Sequence, residues 1–291
     1  MRLPAMNLLQ VTVLAVVQGL CELLPVSSSA HVIVAEKLMG LDPTAPSMTL
    51  LLVMLHTGTM FAVILYFWKE WKATYFASRT SFRRSAGAIV LATAATGVVG
   101  LALLKLIPYV LGVDRKGFEI EQLFGNPLLI AGGLAAAGVM IVISGLSRRA
   151  IAPHTHINAG AALAIGAVQG LCLPFRGFSR SGATISTGLL AGIVRQRAEE
   201  FSFALAVVLT PAVIVKEAYR FIQANAALAH NSAGLVQLAW PSLVGMGLSF
   251  VAGLGALRWL SRWLEQGRWH YFGFYCLAAS AFVFASRHWL Q

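Results

Sequence analysis

Gln18-Gly19-Leu20-Cys21-Glu22-Leu23-Leu24-Pro25-Val26-Ser27-Ser28-Ser29-Ala30-His31 interrupts an apolar run that begins near Leu8. A carboxylate, three consecutive serines and a histidine stand where a membrane span would be aliphatic. An ionisable side chain at bilayer depth costs about 2.5–3.5 kcal/mol on insertion scales, so its presence there points to function. Pro25 cannot continue a helix, and the serines after it suit the start of a new one. The stretch predicts a broken helix, its first piece ending near Leu24 and its second running from about Ser28 to Met39. Irregular backbone at that depth persists only where it is buried in protein or lines a wet cavity.

The pattern occurs twice. Val17-Gln18-Gly19-Leu20-Cys21 recurs as Val168-Gln169-Gly170-Leu171-Cys172, followed again by a proline (Pro174), a serine-containing break and a renewed apolar segment. Identity followed by the same change of chemistry reads as an internal duplication. Paired, interrupted apolar segments in matching halves point to the binding site of an inverted-repeat membrane protein.

Composition fits this reading. The chain is 58% hydrophobic and only 11% charged, against about 25% charged in ordinary soluble domains. Its formal charge of +11 collects in short loops between apolar segments, which is the positive-inside pattern and not a nucleic-acid footprint. Cys21, Cys172 and Cys276 all fall in apolar segments and read as small buried residues, with no disulfide expected. Arg2, the first apolar run and Ser28-Ser29-Ala30 resemble a cleavable signal peptide; Glu22 and the duplication argue against cleavage.

The expected fold is all-α and polytopic: a single membrane domain, 1–291, with repeat halves of about 1–146 and 147–291. Two broken segments, 7–40 and 159–194, are each too short in their pieces to span, and form re-entrant hairpins. Six spans are expected at about 48–68, 86–107, 127–146, 200–222, 239–258 and 270–288. Lys69, Lys72, Arg79, Arg83, Arg84, Arg148, Arg149, Arg195, Arg197, Arg258, Arg262 and Arg268 then share one face, which should be cytoplasmic. The loop bearing Asp114, Arg115, Lys116, Glu119 and Glu121 is charge-balanced. Both termini lie outside. Three spans separate the repeats, so the hairpins enter from opposite faces.

Two breaks meeting near the midplane would aim the N-terminal ends of the following helices, near Ser28 and Ser181, into one site. Arg180 adds a cation that can grip phosphate oxygens in bidentate fashion, and Ser27, Ser28, Ser179, Ser181 and Thr184 add hydroxyls. Such a site suits a phosphate or diphosphate carried on a lipid tail. Ser27 and Ser28 lie four and three residues before His31, so either pair can share a helix face, and a serine within reach of a base is a minimal activated nucleophile. Glu22, four residues after Gln18, is the only carboxylate at either break. It can hold a divalent cation, orient His31, or act as the base.

Other residues have plainer readings. Ser29 and Ser186 read as helix-cap or structural serines, and Arg180 has the alternative role of counter-ion to Glu22. His56 reads as a hydrogen-bonded core histidine, His154 and His156 as loop residues, Lys216 and Glu217 as interface anchors, and Thr210-Pro211 as a kink.

At these residues the chain resembles the undecaprenyl-diphosphatase family, bacterial membrane enzymes linked to bacitracin resistance. One family signature corresponds to Gln18, Glu22, Pro25-Val26-Ser27-Ser28 and His31. The other corresponds to Arg176-Gly177-Phe178-Ser179-Arg180-Ser181-Gly182-Ala183-Thr184. The resemblance implies hydrolysis of undecaprenyl diphosphate to undecaprenyl phosphate in the bacterial inner membrane, at a site open to the periplasm or cell exterior. It also implies a divalent cation, Mg²⁺ or Ca²⁺, held by Glu22 and the substrate phosphates. Carried over by position, Ser28 would be the nucleophile beside Ser27, with His31 and Glu22 moving protons or binding metal. Arg180 would hold the diphosphate, supported by Ser179, Ser181, Thr184, Gly177 and Arg176. Gln18 stands where many members have glutamate, and Arg176 replaces the usual proline. The rival reading is a transporter or flippase for a phosphate-headed lipid, since broken helices in inverted repeats also build carriers. Undecaprenyl diphosphate and membrane lipid are the expected partners, with no nucleic acid; a homodimer is left open.

Overall fold

The computed structural model describes residues 7–41, 46–112, 126–147, 155–224 and 232–287. Among these are ten α-helices: α1 (Leu8–Leu23), α2 (Ser28–Leu38), α3 (Pro46–Thr74), α4 (Arg79–Leu111), α5 (Pro127–Leu146), α6 (Ala159–Cys172), α7 (Arg180–Leu190), α8 (Arg195–Ala224), α9 (Ser232–Glu265) and α10 (His270–Ala285). The charge-balanced loop residues Asp114 to Glu121, together with Arg148, Arg149 and His154, lie outside the described residues.

Local chemistry sets the ends. Asn7 opens α1 with a capping box closed by Gln10, Asn158 caps α6, and Ser179 caps α7 by accepting the Gly182 N–H. α1 stops where Leu24 turns extended ahead of Pro25. Both breaks expected from the sequence are present, at 24–27 and 173–179.

Among the described residues five helices are long and apolar enough to cross a bilayer: Met48–Thr74, Arg79–Val110, Pro127–Leu146, Arg195–Lys216 and Trp240–Glu265. They overlap the first five expected spans; Pro127–Leu146 has the expected bounds, and the other four begin or end further into polar sequence. Ser78, for example, caps α4 eight residues before the apolar run expected from 86 begins, because hydropathy marks the apolar part of a helix and not its end. The sixth expected span, 270–288, is the apolar helix α10 of 16 residues, about 24 Å long at 1.5 Å per residue and short of a full hydrocarbon crossing. α8 continues through Pro211.

Helix pairs assemble the bundle. α9 lies along α1 and α3, α4 lies along α6, α5 along α10, and α3 meets α8. α1 begins beside the start of α3, where Val11 and Leu51 share a cluster, and α6 begins beside the start of α4, where Ala88, Ala92 and Ala162 do so. The repeated glycines of α1 and α6 explain the depth of contact. A side chain on Gly19 would meet the Ser249 carbonyl and Ala252 on α9, and one on Gly170 would meet the Thr96 carbonyl and Val99 on α4. Many of the basic segments gather at one end: Trp71 donates to the Glu200 carbonyl, Arg195 to the Glu265 carbonyl, and Ser261 to Glu199.

Candidate active site

The two breaks touch. Ser181 donates to the Leu24 carbonyl at 3.3 Å, and Gly182 lies against Pro25. Cys276 of α10 donates to the Pro25 carbonyl from the other side, which pins the first break between α7 and α10. α2 and α7 therefore begin next to each other, with their free N-terminal amides at the junction. Beside it lies a hollow of about 450 Å³ whose wall includes Glu22, Ser27, Ser28, Arg176, Ser179 and Arg180.

Glu22 is the hub. Its Oε2 accepts from Ser28 Oγ at 2.6 Å and from Gln18 Nε2 at 3.2 Å, and its Oε1 accepts from Arg180 Nη2 at 3.1 Å. His56 Nε2 is 3.8 Å from Oε2. Charge-assisted hydrogen bonds are the strong ones, so the carboxylate is fixed from three elements at once. The counter-ion role of Arg180 and its cavity-lining position are the same geometry: one guanidinium nitrogen holds Glu22, while Arg180 Nη1 is buried without a protein partner.

His31 points elsewhere. Its Nδ1 bonds the Ser27 carbonyl at 2.8 Å and its Nε2 bonds Tyr275 Oη at 2.6 Å. An Nδ1–H donated to a carbonyl leaves Nε2 as the acceptor of the tyrosine hydroxyl. Spacing allowed His31 to share a face with Ser28, yet the serine hydroxyl turns across the break to Glu22. Ser27 has φ of 68°, alone among described non-glycine residues in being positive. Such backbone costs about 1–3 kcal/mol and persists when neighbours enforce it; the His31 contact to its carbonyl is one such enforcement.

The remaining expected binding residues divide by position. Ser27, Ser179, Ser181 and Arg176 line the hollow, and Gln18 is buried beneath it against Glu22. Thr184 and Gly177 sit behind the wall. Thr184 is fully buried, bonded to the Arg180 carbonyl and to Ser202 at 2.6 Å. Gly177 has φ of 102°, and a side chain there would strike the Ile130 carbonyl on α5, so only glycine permits this loop to seat. Ser29 also reaches the hollow, whereas Ser186 is tied to Ser144 and Trp269 in the core, as its plain reading expected.

Three site residues escaped the sequence reading. His56 is hydrogen-bonded to the Leu52 carbonyl, as its plain reading expected, and also approaches Glu22; Lys216 lines the hollow; and Tyr275 holds His31. Glu217 has no described side chain. A signal for His56 was present, since the rule that flags an ionisable group within an apolar span applies to it as much as to Glu22. Tyr275 carried none, being one aromatic among many in α10.

The family model for bacitracin resistance protein BacA matches residues 11–282 of the chain. Undecaprenyl-diphosphatase 2 of Acinetobacter baylyi is 62% identical over 284 residues, covering 96% of this chain and 98% of that protein. Undecaprenyl-diphosphatase of Rhodopirellula baltica is 31% identical over 277 residues, covering 95% and 97%. Undecaprenyl-diphosphatase 1 of Burkholderia pseudomallei is 33% identical over 290 residues, covering 95% and 96%.

Proposed function

The chain belongs to the BacA family of undecaprenyl-diphosphatases, and from that premise we propose that the hollow at the two breaks is where the lipid diphosphate is cleaved, with Ser28 as nucleophile and Glu22 as its base. The protein is a membrane phosphatase that converts undecaprenyl diphosphate to undecaprenyl phosphate and inorganic phosphate, returning the carrier lipid to cell-wall synthesis.

The observation that carries the assignment is the 2.6 Å hydrogen bond from Ser28 to Glu22, next to Arg180. Ser28 Oγ attacks the terminal phosphorus and its proton passes to Glu22. The bond from that phosphorus to the bridging oxygen breaks, releasing undecaprenyl phosphate. Water then hydrolyses the phospho-serine, giving inorganic phosphate and the free serine. Arg180 and the amides at the starts of α2 and α7 stabilise charge on the phosphoryl oxygens. Tyr275 and His31 hold Ser27, and through it the position of Ser28.

The donor set fits a hard divalent cation only together with substrate. Glu22 is a single carboxylate flanked by serine hydroxyls, and Mg²⁺ binds through one or two carboxylates plus substrate phosphates. Glu22 would hold it, and the bound cation would supply neutralising charge for the diphosphate.

The proposed topology counts α10 as a sixth, short crossing and α1–α2 and α6–α7 as re-entrant hairpins of an inverted repeat. The swap of equivalent pairs, α1 with α9 and α6 with α4, supports it. The basic end faces the cytoplasm, the termini and the hollow the opposite side.

The test is phosphate release from undecaprenyl diphosphate by purified protein in detergent, with no gradient. Wild type should turn over, Ser28→Ala should not, and wild type should give a protein mass increased by one phosphoryl group on acid quench. Retained turnover in Ser28→Ala would remove the covalent route in favour of direct attack by water. A lipid carrier would release no phosphate at all.

A further inference from the structure

Resting on that reading of the hollow, we propose that the apolar chain of the substrate leaves it sideways, through a port between α4 and α8 framed by Gly100, Leu104, Leu173 and Lys216. These four residues line the same hollow as Ser28 and Arg180. Two of them also belong to the outer surface: Leu104 is 47% and Leu173 54% exposed. A side chain that faces both the cavity and the exterior marks where the cavity opens. Leu101 and Leu171 continue the exposed apolar surface beyond it, so a chain leaving here passes directly from the phosphate-binding wall into hydrocarbon.

Two neighbouring seams are tightly closed. α3 and α9 close on Gly58, where a side chain would strike the Met246 carbonyl, and α4 and α6 close on Gly166 against the Ala92 carbonyl. Among the described residues α4 and α8 touch only sparsely. Gly100 sets the width of the port, since even a methyl group there would come within 3.0 Å of the Leu173 side chain. Lys216 lines the hollow at this port, and a lysine combines a four-carbon apolar stem with a charged end. The occupant is thus a long, flexible hydrocarbon covalently continuous with a diphosphate.

The test compares kcat/KM for undecaprenyl diphosphate with kcat/KM for a two-isoprene diphosphate too short to pass the port. Leu104→Trp and Gly100→Leu should each lower the long-to-short ratio at least tenfold. Val98→Trp, equally bulky on the exposed face of α4 but off the hollow, should leave the ratio as in wild type. An unchanged ratio in both port variants overturns the proposal. A long-chain diphosphate carrying a photoreactive group on its third isoprene unit gives an independent reading. Label on residues 100–105 or 171–175 supports the port, and label confined to α3–α9 or α5–α10 overturns it. If wild type hydrolyses neither diphosphate, the phosphatase reading fails, while the site of labelling still decides the port.

Discussion

Ser28 donates its hydroxyl to Glu22 at 2.6 Å across a break in the chain, and His31, three residues further along the same helix, takes no part in that bond. The base nearest the serine is therefore a carboxylate. Glu22→Gln keeps the shape and an accepting oxygen but loses basicity and charge. General-base catalysis contributes about 10²–10⁴-fold, and turnover should fall by that order. Phosphate release at saturating substrate measures it, and a loss under tenfold would return the base role to another group.

Arg180 holds Glu22 with Nη2, and on the proposed reading the same side chain, at the wall of the hollow, binds the substrate phosphates. Arg180→Ala should therefore remove two things at once, phosphate affinity and the partner of a largely buried carboxylate. Breaking a buried ion pair costs about 3–5 kcal/mol; with the side chains 23% and 18% exposed, the loss should fall at or below the low end. The Arg180→Ala/Glu22→Ala double variant should recover much of the Tm and none of the turnover, whereas a Tm equal to that of Arg180→Ala would show that the pair is not what stabilises the junction.

Tyr275 is not among the residues that line the hollow, and its hydroxyl bonds His31 Nε2. Tyr275→Phe deletes one hydrogen bond, worth about 1 kcal/mol or roughly fivefold. It should lower kcat by about that factor with KM little changed, because it loosens the Ser27–Ser28 backbone and not the phosphate grip. A rise in KM alone would instead place the tyrosine on the substrate.

The repeated break was readable because it violates expectation in two ways at once, polar residues at membrane depth and a proline before serines, and both violations occur twice. The spans were readable because hydropathy is a local property. The direction of the Ser28 hydroxyl was not, since helix spacing places Ser28 and His31 within reach of each other but says nothing of Glu22 on the far side of Pro25. Tyr275 lies 244 positions from His31, a pairing created only when α10 packs against the first hairpin. Thr184 matched the motif yet lies behind the wall, because a helix starting at Arg180 turns its fifth residue toward α8 and Ser202. Membership in a motif fixes neighbourhood and leaves open which side chains reach the ligand.

Packing gives a prediction of opposite signs for one chemical change. Gly19→Ala would set a methyl 2.6 Å from Ala252 Cβ and 2.7 Å from the Ser249 carbonyl, and must push α1 away from α9. Overpacking costs about 1–3 kcal/mol. Gly97→Ala, in α4 with nothing within 4 Å, should stabilise by about 0.5–1 kcal/mol through the chain entropy of glycine. Thermal unfolding in one detergent compares them, and equal shifts would contradict the close seam between α1 and α9.

Gln18 offers the sharpest test of the cation. Its side-chain nitrogen donates to Glu22 at 3.2 Å from a position that is 1% exposed. Gln18→Glu would exchange that donor for a second carboxylate, so two like charges would meet in a poorly solvated place. Without a divalent cation the variant should unfold at lower temperature than wild type. With Mg²⁺ or Ca²⁺ the two carboxylates gain a shared hard ligand set, so its Tm should rise with cation concentration far more steeply than that of wild type, and half-maximal phosphate release should need less cation. Chelator should reverse both effects. A Tm that ignores the cation in Gln18→Glu would separate Glu22 from metal binding altogether and leave the carboxylate as base and counter-ion alone.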